Sequence, residues 1–462
     1  MVDLSSIVKA YDIRGTVPDQ LNPDTARAFG AAFVQLLRGE GELARIVVAH
    51  DMREAGPGLV DAFAEGATAL GVDVVHCGLG STDLLYYASG IMNLPGAMFT
   101  ASHNPAQYNG IKLCRAGARP IGQESGLADI RTVAEEILGG TELPAAERKG
   151  SVERRELLAD YAAHLRNLVD LSGIRPLTVV VDAGNGMGGY TVPAVLGDAV
   201  LDALPLRIVP LYFELDGSFP NHEANPIDPK NLVDLQAAVR EHSADLGVAF
   251  DGDADRCFVV DEHGDPISPS AVTALVAARE LAKHPGATVI HNIITSRAVP
   301  EIVEENGGHA VRTRVGHSFI KAEMARTGAV FGGEHSAHYY FKDFWYADTG
   351  MLAAMHLLAA LGEQQRPLSE LAAEYHRYPA SGEINTRVAD QQAKLAEIEA
   401  AYAAREGATL DKLDGLTVDF ADGSWFNLRP SNTEPLVRLN VEARDAARMA
   451  ELRDEVLALV TS

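Results

Sequence analysis

Short runs of β-branched and other apolar residues, each closing in a polar or glycine-rich loop and followed by a helix-period pattern, recur along this chain. That order is the grammar of α/β units, in which the loops that carry chemistry lie at the carboxyl ends of strands. A first block places strands at 45–50, 72–77 and 96–99, a second at 177–181, 206–212 and 246–250, and a third at 288–294, 310–314 and 329–331. The blocks share a pattern without being obvious sequence repeats. The end of the chain changes character. A helical stretch at 391–405 precedes strands bounded by Asp and Gly, and over 436–443 Val437, Leu439, Val441 and Ala443 alternate with Arg438, Asn440 and Glu442. Such alternation predicts a half-exposed antiparallel strand, and a closing helix starts at Asp445.

The fold class read from this pattern is α/β: three similar α/β domains with mixed sheets, then a smaller C-terminal α+β domain. The junctions fall in the charged stretch 147–155, just after Arg256, and in 375–382 around Pro379. They give domains 1–148, 149–256, 257–374 and 375–462. Length agrees, since 462 residues exceed one ordinary core and roughly 150 residues per domain suggests about three.

Composition narrows the function. With 47% apolar, 22% charged and 6% aromatic residues, the chain has a globular and not a disordered make-up. Its 64 Asp and Glu against 39 Lys and Arg give a net charge of -25, which repels nucleic acid and anionic membranes. An anionic substrate therefore requires cations concentrated locally in loops. The start MVDLSSIVKAYDIRG lacks a signal-peptide pattern, and no run of about 18 apolar residues occurs, so the expectation is a cytoplasmic protein. Cys77, Cys114 and Cys257 are widely spaced without CxxC pairing and read as reduced core thiols.

Residues 100–105 read TASHNP directly after an apolar run, followed by Asn109, Gly110 and Lys112. Ser102, in a tight loop after a strand, is placed as a nucleophile; an ordinary ST-turn is the competing reading. Residues 251–256 read DGDADR, and carboxylates at alternate positions can converge on Mg²⁺ or Ca²⁺. An EF-hand loop would use Asp251, Asp253, Asp255 and Glu262, but Arg256 stands where its turn needs glycine, and Cys257 to Val260 are strand-like. Arg256, beside the metal, could face a phosphate. Residues 332–338, GGEHSAH, mix acceptors and donors suited to sugar hydroxyls, with His338 as a candidate acid or base; a solvated loop is the alternative. Residues 429–435, RPSNTEP, offer Arg429, Ser431, Asn432 and Thr433 as a phosphate cradle, or form a plain hairpin turn. Gly316, His317 and Ser318 open a helix whose amides either meet an anion or are simply capped. Tyr11 and Arg14 place a cation before a turn, and Asp51 with Arg53 reads as a weak local ion pair.

Taken in this order, the four motifs make the whole chain resemble the α-D-phosphohexomutase family of phosphomannomutases and phosphoglucomutases. The resemblance implies four domains around a central cleft, each giving one loop: phosphoserine, metal, sugar and phosphate. It implies that Ser102 is phosphorylated, that Asp251, Asp253 and Asp255 hold Mg²⁺ with an oxygen from Ser102, and that Glu334 and Ser336 hold the sugar hydroxyls. It further implies that Arg429, Ser431, Asn432 and Thr433 grip the non-transferring phosphate, while Tyr11, Arg14, Lys112, Arg256, His317 and His338 line the cleft. Lys112, His103 and His338 are the candidates for acid and base. The implied activity is reversible transfer of phosphate between C6 and C1 of a hexose through a 1,6-bisphosphate, with glucose 1,6-bisphosphate or mannose 1,6-bisphosphate as activator.

The runs GGEHSAHYYF, SGEIN and FNLRPSNTEPLVRLNVEA are most like bacterial phosphomannomutases, which points to mannose and to GDP-mannose synthesis; glucose, or both sugars, is the alternative. Asparagine in RPSNTEP argues against an amino sugar. Where some relatives carry a substrate-binding lysine in a DVK segment, this chain has Asn292, Ile293 and Ile294, so either Arg297 substitutes or the contact is absent. The expected partner is a small hexose phosphate, with the protein a monomer or homodimer. Outside the family, a metal-dependent phosphatase, a Ca²⁺ module and a non-catalytic sugar-phosphate binder stay open.

Overall fold

A computed structural model of the chain describes residues 3–144, 146–431 and 435–462. It divides into two compact units, one of the residues up to Ile267 together with Ser336–Ser369, the other of Ser268–His335 and Glu370–Ser462.

The first unit holds two mixed sheets. In one, the strands run Ile13–Thr16, Tyr108–Arg115, Gly96–Phe99, Arg45–His50, Asp73–Leu79 and Val152–Arg154 from edge to edge. Arg45–His50 pairs in parallel with both neighbours, whereas Gly96–Phe99 pairs antiparallel with Tyr108–Arg115. Its central strands are buried on both faces, which is why they read as unbroken apolar runs. On one face the helices Pro23–Glu40 and Gly56–Ala69 cross closely. A Cβ on Gly30 would lie 2.1 Å from the carbonyl oxygen of Phe63, and one on Gly66 2.1 Å from that of Arg27. We expect Gly30→Ala to destabilise this unit by about 1–3 kcal/mol, because the crossing has no room to relax. Thermal unfolding of the variant beside wild type checks this; an unchanged melting temperature would show that the helices can part without cost.

The second sheet runs Pro266–Ile267, Cys257–Val260, Leu246–Phe250, Leu177–Asp182 and Leu206–Leu211. Phe250 pairs antiparallel with Cys257, so residues 251–256 are a hairpin loop. The junction expected just after Arg256 lies inside this hairpin: Cys257–Val260 completes the sheet by its ladder hydrogen bonds and does not open a new domain. The hairpin of Tyr339–Phe341 and Ala347–Asp348 and the buried helix Gly350–Gly362 also belong to this unit. A Cβ on Gly350 would meet the backbone of Arg256 at 2.7 Å.

In the second unit, Thr288–Asn292 pairs in parallel with His309–Thr313 and Phe331–Gly333. The same unit contains an antiparallel sheet ordered Ile384–Arg387, Leu436–Glu442, Trp425–Pro430, Leu416–Phe420 and Ala408–Asp411. Helices Gln391–Ala403 and Ala446–Thr461 cover one of its faces, with Ile398, Tyr402, Leu452 and Val456 in the core. Leu436–Glu442 departs from its expected half-exposure. Val437, Leu439 and Val441 are buried, but so are Asn440 and Glu442. Glu442 is satisfied there by Trp425 Nε1 at 2.9 Å and the Arg297 amide at 3.0 Å, which permits a carboxylate under cover. All three cysteines are buried thiols, and Cys114 Sγ donates to Ser89 Oγ at 3.6 Å. Among the described residues, no helix is long and apolar enough to cross a membrane.

Candidate active site

Two hairpin loops of the first unit meet. One leaves the buried strand Gly96–Phe99 as TASHNP and returns as Tyr108–Arg115; the other is DGDADR. The first does form the expected ST-turn, since the Ser102 amide donates to Thr100 Oγ1 at 2.9 Å. Yet the Ser102 hydroxyl takes no part in that turn. Ser102 sits at φ +49, a left-handed conformation costly for a residue with a Cβ, and its Oγ donates to Asp251 Oδ2 at 2.7 Å. The loops approach so closely that a Cβ on Gly252 would stand 2.4 Å from the Ser102 carbonyl oxygen.

Asp251, Asp253 and Asp255 are all buried, and their ligand oxygens gather within 4.8 Å of one another. Asp251 accepts from Arg256 through its amide at 3.2 Å and Nε at 2.9 Å. Lys112, on the returning strand, places Nζ 2.7 Å from Asp253 Oδ2 and 2.6 Å from Asp255 Oδ2. Thr82 Oγ1 donates to the same Asp253 oxygen at 2.6 Å. The remaining Oδ1 atoms of Asp253 and Asp255 are buried with no hydrogen-bond partner among the described residues. Buried carboxylate oxygens left bare are costly without a cation, and hard oxygens at this spacing fit Mg²⁺.

Electrostatics follow from this crowding. Burial raises the Asp251 carboxyl above its usual range, with Arg256 opposing. Burial would also raise Asp253, but the Lys112 ammonium and Thr82 hold it well below that range. Burial disfavours the charged form of Lys112 as well, yet the two carboxylates outweigh it and push the ammonium well above its ordinary value. That is opposite to the shift a lysine base needs. His103 is held well below the ordinary histidine value by burial and by Arg256 and Arg14. Its Nδ1 accepts from Arg256 Nη2, so it is a neutral acceptor there.

Arg14 reaches this loop by donating to Asn104 Oδ1 while pairing with Asp12 at 2.5 Å. Arg256 and His338 form an isolated antiparallel bridge. His338 Nε2 is 3.8 Å from Asp255 Oδ1, and its Nδ1 is 3.0 Å from Ser336 Oγ. Thus Arg14, Ser102, His103, Lys112, the three aspartates, Arg256, Ser336 and His338 belong to one unit. Tyr11, half-buried, lies in it too. The EF-hand alternative fails here: positions Cys257–Val260 are a strand, and Glu262 is taken by Ser369, whose Oγ and amide donate at 2.5 and 3.0 Å.

All four parts of one family match this chain: phosphoglucomutase/phosphomannomutase alpha/beta/alpha domains I, II and III at residues 5–138, 159–264 and 268–378, and the C-terminal domain at 383–459. The chain belongs to this family. It is similar to the "Phosphohexose mutases" of Xanthomonas campestris, 43% identical over 455 residues that cover 97% of this chain and 98% of that one. It is also similar to a phosphomannomutase of Escherichia coli, 40% identical with 98% of each chain covered. A solved phosphoglucomutase/phosphomannomutase family protein from Burkholderia thailandensis superposes with a TM-score of 0.88 at 34% identity, covering 100% of this chain and 98% of that one. The chain is therefore an enzyme, an intramolecular phosphotransferase of the isomerase class.

The second unit of this phosphohexomutase carries the other expected residues. Glu334 Oε1 accepts from Asn292 Nδ2 at 3.2 Å and from the Gly316 amide at 3.1 Å, so Glu334 and the start of the helix His317–Thr327 are neighbours. Gly316 caps that helix without a side-chain hydrogen bond. Arg429 pairs with Glu383 at 3.3 Å, beside Arg438 on the same carboxylate. Ser431 is buried, its amide donating to the Leu436 carbonyl at 2.9 Å. Asn432 and Thr433 lie outside the described residues. Arg297 is drawn to Asp419 and its amide to Glu442, so here its guanidinium is committed to a carboxylate.

Thr82 and Asn104 were not foreseen. Thr82 follows the strand Asp73–Leu79 at a helix start, the same carboxyl-end position that drew attention to Ser102. Asp51 and Arg53, expected to be a weak local pair, are instead buried, at 0% and 3% exposure.

Proposed function

We propose that this enzyme is a phosphomannomutase, interconverting mannose 6-phosphate and mannose 1-phosphate through a phosphorylated Ser102 and a hexose 1,6-bisphosphate. The observation that carries the reading is Ser102 Oγ at 2.7 Å from Asp251, beside a carboxylate triad with two bare buried oxygens. The choice of mannose is supported by relatives named phosphomannomutase at about 40% identity. Glucose phosphate is the runner-up, since the sugars differ at one hydroxyl and a single such difference discriminates only where a polar partner is left unpaired.

In this reading Asp251, Asp253 and Asp255 hold Mg²⁺, which would supply charge stabilisation at the phosphoserine oxygen. The protein's own residues do the rest. Arg256 and Lys112 offset charge on the transferring group, as a loose phosphoryl-transfer transition state demands. Phosphoserine gives its phosphoryl to the free hydroxyl of a hexose monophosphate, leaving a Ser102 hydroxyl and a bisphosphate. After the bisphosphate turns end for end, its other phosphate returns to Ser102. Lys112, His103 and His338 are the acid and base candidates, all three held beside the carboxylate triad or Arg256. Glu334 and Ser336 take sugar hydroxyls, His317 and Arg14 contact substrate, and Arg429 with Ser431, Asn432 and Thr433 grips the second phosphate. The product would feed GDP-mannose synthesis in the cytoplasm.

Phosphorus NMR tests this directly. With Mg²⁺ and a trace of glucose 1,6-bisphosphate, mannose 1-phosphate should convert to the 6-phosphate faster than glucose 1-phosphate does. A faster glucose reaction would make the enzyme a phosphoglucomutase; release of inorganic phosphate without isomerised sugar would overturn the mutase reading.

A further inference from the structure

Arg53 is not in contact with the carboxylate triad, yet it is tied to the reactive loop more thoroughly than any residue that lines the site. Its Nη2 donates to the carbonyls of Ser102 at 2.9 Å and Asn104 at 2.7 Å, and its Nη1 to those of Pro105 at 3.0 Å and Tyr108 at 2.9 Å. A guanidinium has four terminal N–H groups, and all four go to carbonyls of residues 102–108. Arg53 is itself fixed. Its Nε stands 3.3 Å from Asp51 Oδ2, its amide donates to Asp51 Oδ1 at 2.9 Å, and its guanidinium lies over the Phe219 ring at 5.1 Å. Asp51 is anchored in turn by its amide on the Phe99 carbonyl, the last residue of the strand that feeds the loop.

We propose that Arg53 is a positioning residue for phosphoryl transfer, holding Ser102 in its left-handed conformation so that Oγ faces Asp251. The proposal rests on the reading of Ser102 as the phosphorylated group. A serine at φ +49 relaxes unless its surroundings over-determine it, and the Ser102 carbonyl is the atom whose direction changes most when the local backbone turns over. Drawing four carbonyl oxygens to one cation also turns their negative ends away from the phosphate-bearing side, where they would repel it. A merely structural buried pair would need only Asp51; it would not need every terminal N–H on one loop.

The surface supplies an unusual test. A pocket of about 650 Å³ is lined by Arg53, Glu54, Gln107, Asn109, Asp216 and Ser218 among others, with the Arg53 side chain itself buried beside it. Truncating Arg53 to alanine removes the guanidinium and leaves its four carbonyl partners in place, a space of the size that free guanidinium fills. Arg53→Ala should lower kcat by about a hundredfold, the scale of a misplacement near 1 Å, with KM changed less than about threefold. Millimolar guanidinium should restore at least about tenfold of that loss while leaving wild type unaffected, and the mass of the protein after incubation with glucose 1,6-bisphosphate should show phosphoserine recovered in step. Folded Arg53→Ala with near-wild-type kcat, or with a loss that guanidinium does not reverse, would overturn the proposal. If Arg53→Ala does not fold, Arg53→Lys decides: one ammonium cannot span four carbonyls, so a kcat within about twofold of wild type would also overturn it. Ser102→Ala is run in parallel. Activity in that variant would remove the Ser102 reading and this proposal with it, whereas an inactive Ser102→Ala beside an unaffected Arg53→Ala would remove this proposal alone.

Discussion

Replacing Ser102 by alanine is expected to lower kcat by at least about a thousandfold, because a covalent route cannot run without its acceptor atom. Folding should be unaffected. The Ser102 side chain makes no hydrogen bond that the turn needs, since the amide bond to Thr100 Oγ1 is a backbone contact. Alanine also tolerates the site sterically, keeping the same Cβ at φ +49. What the variant leaves behind is an Asp251 Oδ2 that loses one of its donors but keeps Arg256 Nε. Steady-state turnover of mannose 1-phosphate, with circular dichroism to confirm the fold, makes the comparison. Incubation of both proteins with glucose 1,6-bisphosphate should add the mass of one phosphoryl group to wild type and none to Ser102→Ala. Full turnover in the variant would take Ser102 out of the mechanism.

The second large effect is expected from Asp253→Asn. This substitution keeps the shape of the side chain and removes one negative charge from the buried triad. Mg²⁺ affinity should fall by at least about a hundredfold, since hard cations depend on the number of charged oxygens around them. The change also strips Lys112 of one of the two carboxylates that hold its ammonium, at 2.7 and 2.6 Å. A buried cation with half its compensation is costly, so some stability should be lost too. Asp255→Asn should resemble it, as Lys112 spans both. Titration calorimetry with Mg²⁺, or paramagnetic resonance with Mn²⁺, reads the affinity independently of turnover. Unchanged metal affinity in Asp253→Asn would show that the triad is not the metal site and that Lys112 alone satisfies it.

Much of this was legible along the chain. The α/β blocks followed from apolar runs of strand length ending in polar loops, and the C-terminal helix and strand followed from their periods, because burial on one face is written into local spacing. TASHNP, DGDADR, GGEHSAH and RPSNTEP were visible because each concentrates chemistry within a few consecutive residues. Charge argued against partners such as nucleic acid for the same reason: it is a sum over residues and needs no coordinates.

What the sequence could not determine were relations between distant positions. That Ser102 and Asp251 share a hydrogen bond across 149 residues, that Thr82 supports Asp253 across 171, and that Arg256 lies beside the backbone of His338 are facts of packing. Likewise Asp51 and Arg53 read as a weak local pair, because nothing near them in sequence shows that the loop of Ser102 will close over them. Nor does the alternation in Leu436–Glu442 show that Asn440 and Glu442 find cover. Local pattern decides which face of an element avoids water; only the folded chain decides which other element arrives to exclude it, and that exclusion sets the ionisation and the reach of every charged group in the site.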